Sequence, residues 1–388
     1  MKLFTLIYYI LALLLYIVAL PLLIVLSFKP KYKESIPARF FLKRNGSFKK
    51  DTLWFHICSL GEARALSPVV ERLSDIDMAI TAITHTGYKE ARKYKAEVRY
   101  LPFEIFLPFW IKKPKVLVVL EAEFWYLLFA VVKSRGATLV MLNARISERS
   151  FPKYMRFGWF YRKLLRYCDM IFVQSEADKN RFVALGALHV KVVGNIKLAQ
   201  KILTSEDIAK PTREIITAGS THEGEENSIL EAFCEYKKKS DSTLVVVPRH
   251  PERFESVWQE IELTCKKNSL TCKRYSKDRA LDADIVLVDA MGELNNIYAI
   301  SDIVILGGAF KADVGGHNPL EPSHFGCKII TGEHIFNQKE LFKYVHHVQF
   351  IDRSDILKAL HLAKEMPPSQ VDEKIDLDII IKYIKEKI

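Results

Sequence analysis

Short apolar runs in this chain are repeatedly followed by the side chains that proton transfer and anion binding require. The run TLWFHIC (52–58) ends in Ser59-Leu60-Gly61-Glu62-Ala63-Arg64. Gly61 permits a tight turn, and Glu62 then falls in the first turn of a helix, whose positive end keeps a carboxylate ionised. An ionised carboxylate at the mouth of a cleft accepts a proton from a substrate hydroxyl. The plainer reading is a helix cap, since Glu favours a first turn in any case. KVLVVL (115–120) leads to Glu121-Ala122-Glu123-Phe124-Trp125, two carboxylates beside aromatic rings that suit sugar hydroxyls or neighbouring loop amides equally. TLVML (138–142) leads to NARISERS (143–150), where Arg145 and Arg149 suit anionic groups and Glu148 and Ser150 suit loop organisation.

The second half repeats the pattern with different chemistry. EIITAGS (214–220) leads to Thr221-His222-Glu223-Gly224-Glu225, and Gly219, Ser220 and Thr221 are expected to present backbone amides to a phosphate at a helix start. LVVVPRH (244–250) supplies Arg249 and His250; DIVLVDAMGEL (284–294) supplies Met291, Gly292 and Glu293. An arginine facing phosphate makes charge-assisted, often bidentate bonds that also stabilise a departing phosphate. DIVIL (302–306) is followed by Gly307-Gly308 and then by GGHNPLEP (315–322). A glycine pair, a proline-bracketed Asn318 and a helix-start Glu321 suit ribose hydroxyls and phosphate; a structural glycine loop is the alternative. There is no G-x-x-x-x-G-K-[ST] and no H-E-x-x-H. His85, His222, His250, His317 and His324 have no zinc-like spacing, so each reads as a hydrogen-bonded loop histidine and no metal site is expected. His56, inside the first run, reads as structural.

These residues need rigid elements beneath them. Predicted strands are 52–58, 78–84, 116–120, 138–142, 170–173 and 190–193, then, after the polar stretch around Pro211, 214–218, 244–247, 285–288, 303–306 and 328–330. Helical patterns fill the intervals at 63–73, 154–167 and 177–185. Uniformly apolar strands separated by helices indicate parallel sheets covered on both faces, with ligands at their carboxyl ends. The expected α/β architecture is two Rossmann-like domains with an interdomain cleft: 51–205 for an acceptor and 211–370 for a nucleotide sugar. A basic amphipathic helix is expected within 371–388.

Residues 3–28 contain no charge, and a helix of that length, at roughly 1.5 Å per residue, crosses a hydrocarbon layer of about 30 Å. A transmembrane anchor over 1–28 is therefore expected, in preference to a cleaved signal peptide or a half-inserted helix. Lys29, Lys31, Lys33, Arg39, Lys43, Arg44, Lys49 and Lys50 follow, against Lys2 on the other side. That asymmetry predicts a single pass with the bulk of the chain in the cytoplasm, and the segment 29–50 suits anionic phospholipids. Net charge is +11, which alone fits nucleic acid, membrane or anionic substrates, but no aromatic-rich stacking pattern accompanies the basic residues, which disfavours nucleic acid. The six cysteines lack a C-x-x-C pair and read as reduced, mostly buried thiols.

The series HICSLGE (56–62), THTG (84–87), EAEFW (121–125), NARISERS (143–150), QSEAD (174–178), ALGA (184–187), GNIK (194–197), AGSTHEGE (218–225), RHPERF (249–254), DAMGEL (289–294), YAISD (298–302) and GGHNPLEP (315–322) resembles the lipopolysaccharide 3-deoxy-D-manno-octulosonic acid (Kdo) transferases. The resemblance covers nearly the whole chain after the apolar segment. It implies a GT-B fold and inverting transfer of Kdo from CMP-Kdo to the distal glucosamine of a lipid A precursor, without a metal at the reaction centre or another cofactor. It places the proposed general base on Glu62, a donor phosphate or carboxylate contact on Arg249, and the CMP pocket on Met291–Leu294 and His317–Glu321. Arg64, Thr86, Glu121, Glu123, Arg145 and Arg149 become acceptor-side candidates, and the bacterial inner membrane the expected location. Ala122 and Tyr126 stand where the family more usually has Thr and Pro. A UDP-sugar transferase and a non-catalytic membrane-tethered scaffold are the competing readings. The number of Kdo units added and the oligomeric state are not legible.

Overall fold

A computed structural model describes residues 3–372 and 375–388. The chain divides into two compact units, Met1–Gln200 with Glu373–Ile388, and Lys201–Asp372.

The first unit is built on β1 (Leu53–Ile57), β2 (Met78–Ala82), β3 (Glu97–Tyr100), β4 (Val116–Leu120), β5 (Thr138–Ala144), β6 (Met170–Val173) and β7 (Val190–Val192). They form one parallel sheet in the order β3-β2-β1-β4-β5-β6-β7. β1, β2 and β4 are buried at every position, as strands covered by helices on both faces must be. Alternate side chains feed two cores, Trp54 on one face and Leu53, Phe55 and Ile57 on the other. Strand order reverses between β1 and β4, which makes the crevice beyond their carboxyl ends the natural ligand position.

Two predicted strand ends are cut short for a reason. β1 stops at Ile57 and β2 at Ala82, because Cys58 and Thr84 leave the ladder to hold the turn that carries Glu62. The predicted helix over 63–73 is two helices, Leu60–Ala65 and Ser67–Arg72, with Pro68 restarting the second. The predicted helix over 154–167 likewise divides, into Phe151–Arg156 and Gly158–Leu165. The C-terminal helix Leu377–Lys385 buries Leu377, Ile380 and Ile384 in the core of the first unit.

The helix Leu3–Ser27 is long and apolar enough to cross a membrane. It does not stand clear of the first unit. Its covered positions (Phe4, Thr5, Tyr8, Ala12, Tyr16, Ala19, Leu23 and Leu26 among them) recur at helical spacing along its whole length. Thr5 Oγ1 lies 3.0 Å from Tyr126 Oη, Tyr8 Oη donates to Glu104 at 2.7 Å, and Tyr16 Oη donates to the Phe40 carbonyl at 2.7 Å. The opposite face, with Leu11, Leu15, Val18 and Val25, is exposed and wholly apolar.

The second unit repeats the architecture with β8 (Glu214–Thr221), β9 (Ser242–Pro248), β10 (Cys272–Arg274), β11 (Ile285–Leu287), β12 (Ile303–Leu306), β13 (Lys328–Thr331), β14 (Val345–His346), β15 (Val348–Phe350) and β16 (Gln370–Val371). Its parallel sheet runs β10-β11-β9-β8-β12-β13-β15, with β14 and β16 as a separate antiparallel pair. Here the order reverses between β8 and β12.

Candidate functional site

At the reversal point of the first sheet, Ser59 caps the helix Leu60–Ala65 by accepting the Glu62 N–H at 3.3 Å. Glu62 answers with both carboxylate oxygens. Oε1 accepts from Ser59 Oγ at 2.9 Å and Oε2 from the Cys58 N–H at 2.7 Å. This is a capping-box arrangement displaced by one residue, so the capping reading of the sequence is present in full. It does not exhaust the carboxylate, since each oxygen keeps a further lone pair. Glu62 is 7% exposed. Burial raises its pKa to about 7; the Cys58 and Ser59 bonds oppose the rise, and the charges of Glu121 and Glu123 add to it. Such a carboxyl exchanges its proton near neutral pH, which suits a general base.

The turn is held from behind. Thr84 Oγ1 donates to the Cys58 carbonyl at 2.8 Å, and a Cβ on Gly87 would come within 3.0 Å of the Ser59 backbone, so only glycine lets the two helix starts approach. Glu121 has φ +53° and pairs with Lys197 at 3.2 Å. Glu123 accepts from Trp125 Nε1 at 2.9 Å. Cys58 lies beside Glu123 and Glu62, and burial together with those charges pushes its thiol up to about 12. Asn143, with φ +57° and fully buried, accepts the Ile196 N–H at 3.1 Å and ties β5 to the GNIK loop. Arg39, whose Nε donates to the Leu101 carbonyl at 3.0 Å, is lowered in pKa by burial while Cys58 and Glu123 pull it back up.

Of the acceptor-side candidates, the fold thus brings Glu121 and Glu123 into the field of Glu62. Arg64 is mostly exposed and turns to Glu90 at 3.7 Å. Thr86 is exposed on the adjoining helix, and Arg145 and Arg149 are exposed beyond β5. Sequence reasoning assigns no individual role to Lys197 or Asn143, which it holds only within the GNIK and NARISERS motifs, and it reads Arg39 as a basic membrane-facing residue, whereas the fold turns it inward to the Leu101 carbonyl. His56 is structural as expected: its Nδ1 lies 2.9 Å from Thr81 Oγ1 and burial drives its pKa down to about 3.

In the second unit one expectation needs correction. Gly219, Ser220 and Thr221 are not at a helix start. They belong to β8, and the following helix begins only at Glu225, after Gly224. Ser220 forms a bulge with φ +56° between the β8–β9 pairs Gly219↔Val247 and Thr221↔Pro248. Gly219 is required by packing, since a Cβ there would fall 2.2 Å from the Tyr298 hydroxyl. That hydroxyl is buried without a hydrogen-bond partner and lies in the field of Glu321 and Arg249.

The strand ends beyond β8, β9 and β12 meet in a cluster that spacing did not reveal. His222 Nε2 lies 2.8 Å from His317 Nε2, the two rings are stacked, and His250 meets His222 edge-on at 5.4 Å. Burial, with the neighbouring charges of His222, Arg249 and His250, lowers the pKa of His317 to about 3, so it stays neutral. Among the described residues no group of three or more His, Cys, Asp or Glu is placed to hold a metal ion. Glu225, 1% exposed, accepts the amides of His222 and Gly308, both at 2.9 Å, and so fastens the β8 and β12 loops together. Arg249 and His250 are exposed. Asn318 Nδ2 donates to Glu321 at 3.2 Å and its Oδ1 accepts the Leu320 N–H at 3.1 Å. Glu293 is engaged by Arg279 at 2.9 Å and Asn296 at 2.8 Å, while Met291 is exposed beside Gly292 at φ +92°.

Two Rossmann-like units, each with polar and charged side chains at its sheet's reversal point, define the GT-B class of glycosyltransferase folds. The profile of the 3-deoxy-D-manno-octulosonic acid transferase (kdotransferase) family matches residues 34–200. The 3-deoxy-D-manno-octulosonic acid transferase of Haemophilus influenzae is 32% identical over 346 residues, 82% of this chain and 80% of that protein. The chain therefore belongs to the Kdo transferase family. A bifunctional glycosyltransferase/methyltransferase of Fusobacterium nucleatum is 33% identical over 347 residues, and the chain spans only about half (52%) of that relative's length. The solved UDP-GlcNAc 2-epimerase of Neisseria meningitidis shares the fold alone, at a TM-score of 0.54 and 13% identity over 87% of this chain and 99% of that one.

Proposed function

We propose that the chain transfers Kdo from CMP-Kdo to the distal glucosamine hydroxyl of a lipid A precursor, with inversion at the anomeric carbon. The observation that carries this reading is the Glu62 carboxyl, raised to about 7 at the reversal point of the first sheet in a family that transfers Kdo. Glu62 takes the proton of the acceptor hydroxyl; the freed oxygen bonds to the anomeric carbon as the bond from that carbon to the CMP phosphate breaks, and CMP leaves with the electron pair. The second unit holds the donor. Arg249 meets the growing phosphate charge, and Gly292, Asn318 and Glu321 bound the nucleotide pocket. The positive neighbours that, with burial, hold His317 neutral also make this end of the sheet attractive to an anionic ligand. The monophosphate leaving group is met by Arg249, and no metal is needed at the reaction centre. Glu121 and Glu123 orient the acceptor sugar. The helix Leu3–Ser27 and the basic segment after it hold the chain at the bacterial inner membrane, with both units on the cytoplasmic side.

The test is to incubate the detergent-solubilised protein with CMP-Kdo and a tetraacyl lipid A precursor, without added metal, and to weigh the products. A mass increase of one or more Kdo units is expected. Product formed from UDP-sugars and none from CMP-Kdo would contradict the reading, as would CMP binding without any turnover.

A further inference from the structure

The first unit carries a polar cleft of about 390 Å³ that plays no part in the chemistry above. Lys33, Lys43, Arg44 and Arg99 line it together with Tyr88 and Tyr100. Glu34 is the carboxylate in its wall, and its Oε2 sits 3.6 Å from His85 Nδ1. Arg99 pairs with Glu97 at 2.7 Å, yet its Nε is buried with no partner. Among the described residues no ion pair engages Lys33, Lys43 or Arg44. Lys33, Lys43 and Arg44, gathered without ion-pair partners, repel one another, and an anion entering the cleft relieves that repulsion.

The loop that presents Lys43 and Arg44 is held fast. Leu42 and Arg44 have φ of +53° and +52°, a left-handed conformation that residues with a Cβ avoid. Asn45 sustains it: the buried Nδ2 donates to the Ala38 carbonyl at 3.0 Å and the Tyr100 carbonyl at 2.9 Å, and its own carbonyl accepts from Trp110 Nε1 at 2.8 Å. Strain maintained by a buried network at a charged surface is the pattern of a preorganised binding loop.

Two further observations say what the anion is attached to and where it leads. The loop follows a short helix, Ser35–Phe41, that comes soon after the apolar helix Leu3–Ser27, and Phe28 and Phe41 are exposed, so acyl chains find an apolar surface near the cations. On the other side, Tyr100 stacks on Tyr88 at 4.2 Å and its hydroxyl lies 2.8 Å from His85 Nδ1. His85 follows Thr84, which is bonded to the carbonyl of Cys58 at the base of the Glu62 turn. A tetrahedral group with several acceptor oxygens satisfies lysines, an arginine fork and phenols from different directions better than a planar carboxylate does.

We propose that this cleft seats a phosphate of a phosphorylated, acylated glycolipid, the acceptor itself, and so fixes the acceptor's sugar relative to Glu62. The proposal rests on the acceptor class given under Proposed function. Its test reads binding rather than turnover, so that a failure of Kdo transfer by the wild-type protein would count against the function while leaving the cleft measurable. The full chain in detergent micelles is titrated with a tetraacylated glucosamine disaccharide carrying its phosphates and with the same lipid dephosphorylated. The wild type should prefer the phosphorylated lipid by about tenfold or more in Kd, and Lys43→Ala/Arg44→Ala should bring the two values to within about twofold. Arg44→Gln alone serves if the double variant melts early, and should lose part of the preference. A wild type without preference, or variants that retain it, would overturn the proposal. So would variants that lose binding to phosphatidylglycerol vesicles while keeping the preference, since the cleft would then serve bilayer headgroups only.

Discussion

The reversal points of the two sheets carry opposite chemistry on the same scaffold. In the first unit three carboxylates gather beyond β1 and β4, and burial with mutual repulsion lifts Glu62 to about 7. In the second, an arginine and three imidazoles gather beyond β8, β9 and β12, and burial among positive neighbours drives His317 down to about 3. Both groups are displaced toward their neutral forms, as burial demands of any ionisable side chain. The consequences differ. The acidic end acquires a carboxyl that exchanges its proton near pH 7, whereas the basic end keeps His317 neutral near the exposed Arg249 guanidinium. On the proposed function, one architecture supplies a base in one unit and an anion site in the other, and the division lies in which residues follow the strands.

The largest effect is expected at the acidic end. Glu62→Gln should lower turnover by about 10²- to 10⁴-fold while CMP affinity stays near wild type, as measured by single-turnover kinetics and nucleotide titration. At the basic end Arg249→Ala should weaken CMP binding by roughly 10- to 100-fold, the worth of one charged hydrogen-bonding partner, with Arg249→Lys restoring only part. Equal losses of nucleotide affinity in the Glu62 and Arg249 variants would erase the division of labour. Gly219→Ala should destabilise the second unit by about 1–3 kcal/mol, because its Cβ meets the buried Tyr298 ring; this is read as a lower denaturant midpoint. The smallest effect is electrostatic. Glu121→Gln removes a negative neighbour and frees Lys197, both of which favour ionised Glu62, so the acid limb of the rate profile should move down by about one pH unit or less.

The buried centre of each sheet was legible in sequence because uniform apolar runs have few other uses; β4, β6 and β12 run as expected from end to end. The strands that escaped notice are β3, β10 and β15, which lie at edges of the two large sheets, and the two-residue pair β14 and β16. Edge strands are half exposed, and EVRY and CKR carry charges that mask the apolar signal. Glu62 was visible as a residue type in a turn, but its raised pKa was not, since Glu121 and Glu123 reach it only through the parallel pairing of β1 with β4. The histidine cluster was invisible for the same reason: His222 and His317 are 95 residues apart and meet because β8 pairs with β12. Gly219–Thr221 was misplaced because small residues after an apolar run look like a helix start, whereas here the strand continues through a bulge.

The claim that Glu62 is the base is tested most directly by the pH dependence of kcat/KM for Kdo transfer. Because the ionised form must act and its pKa is raised, the rate should be flat above neutrality and fall about tenfold per unit below an apparent pKa near 7. A profile that stays flat down to the ordinary carboxylate range, or a Glu62→Gln enzyme that retains the wild-type rate and profile, would contradict it.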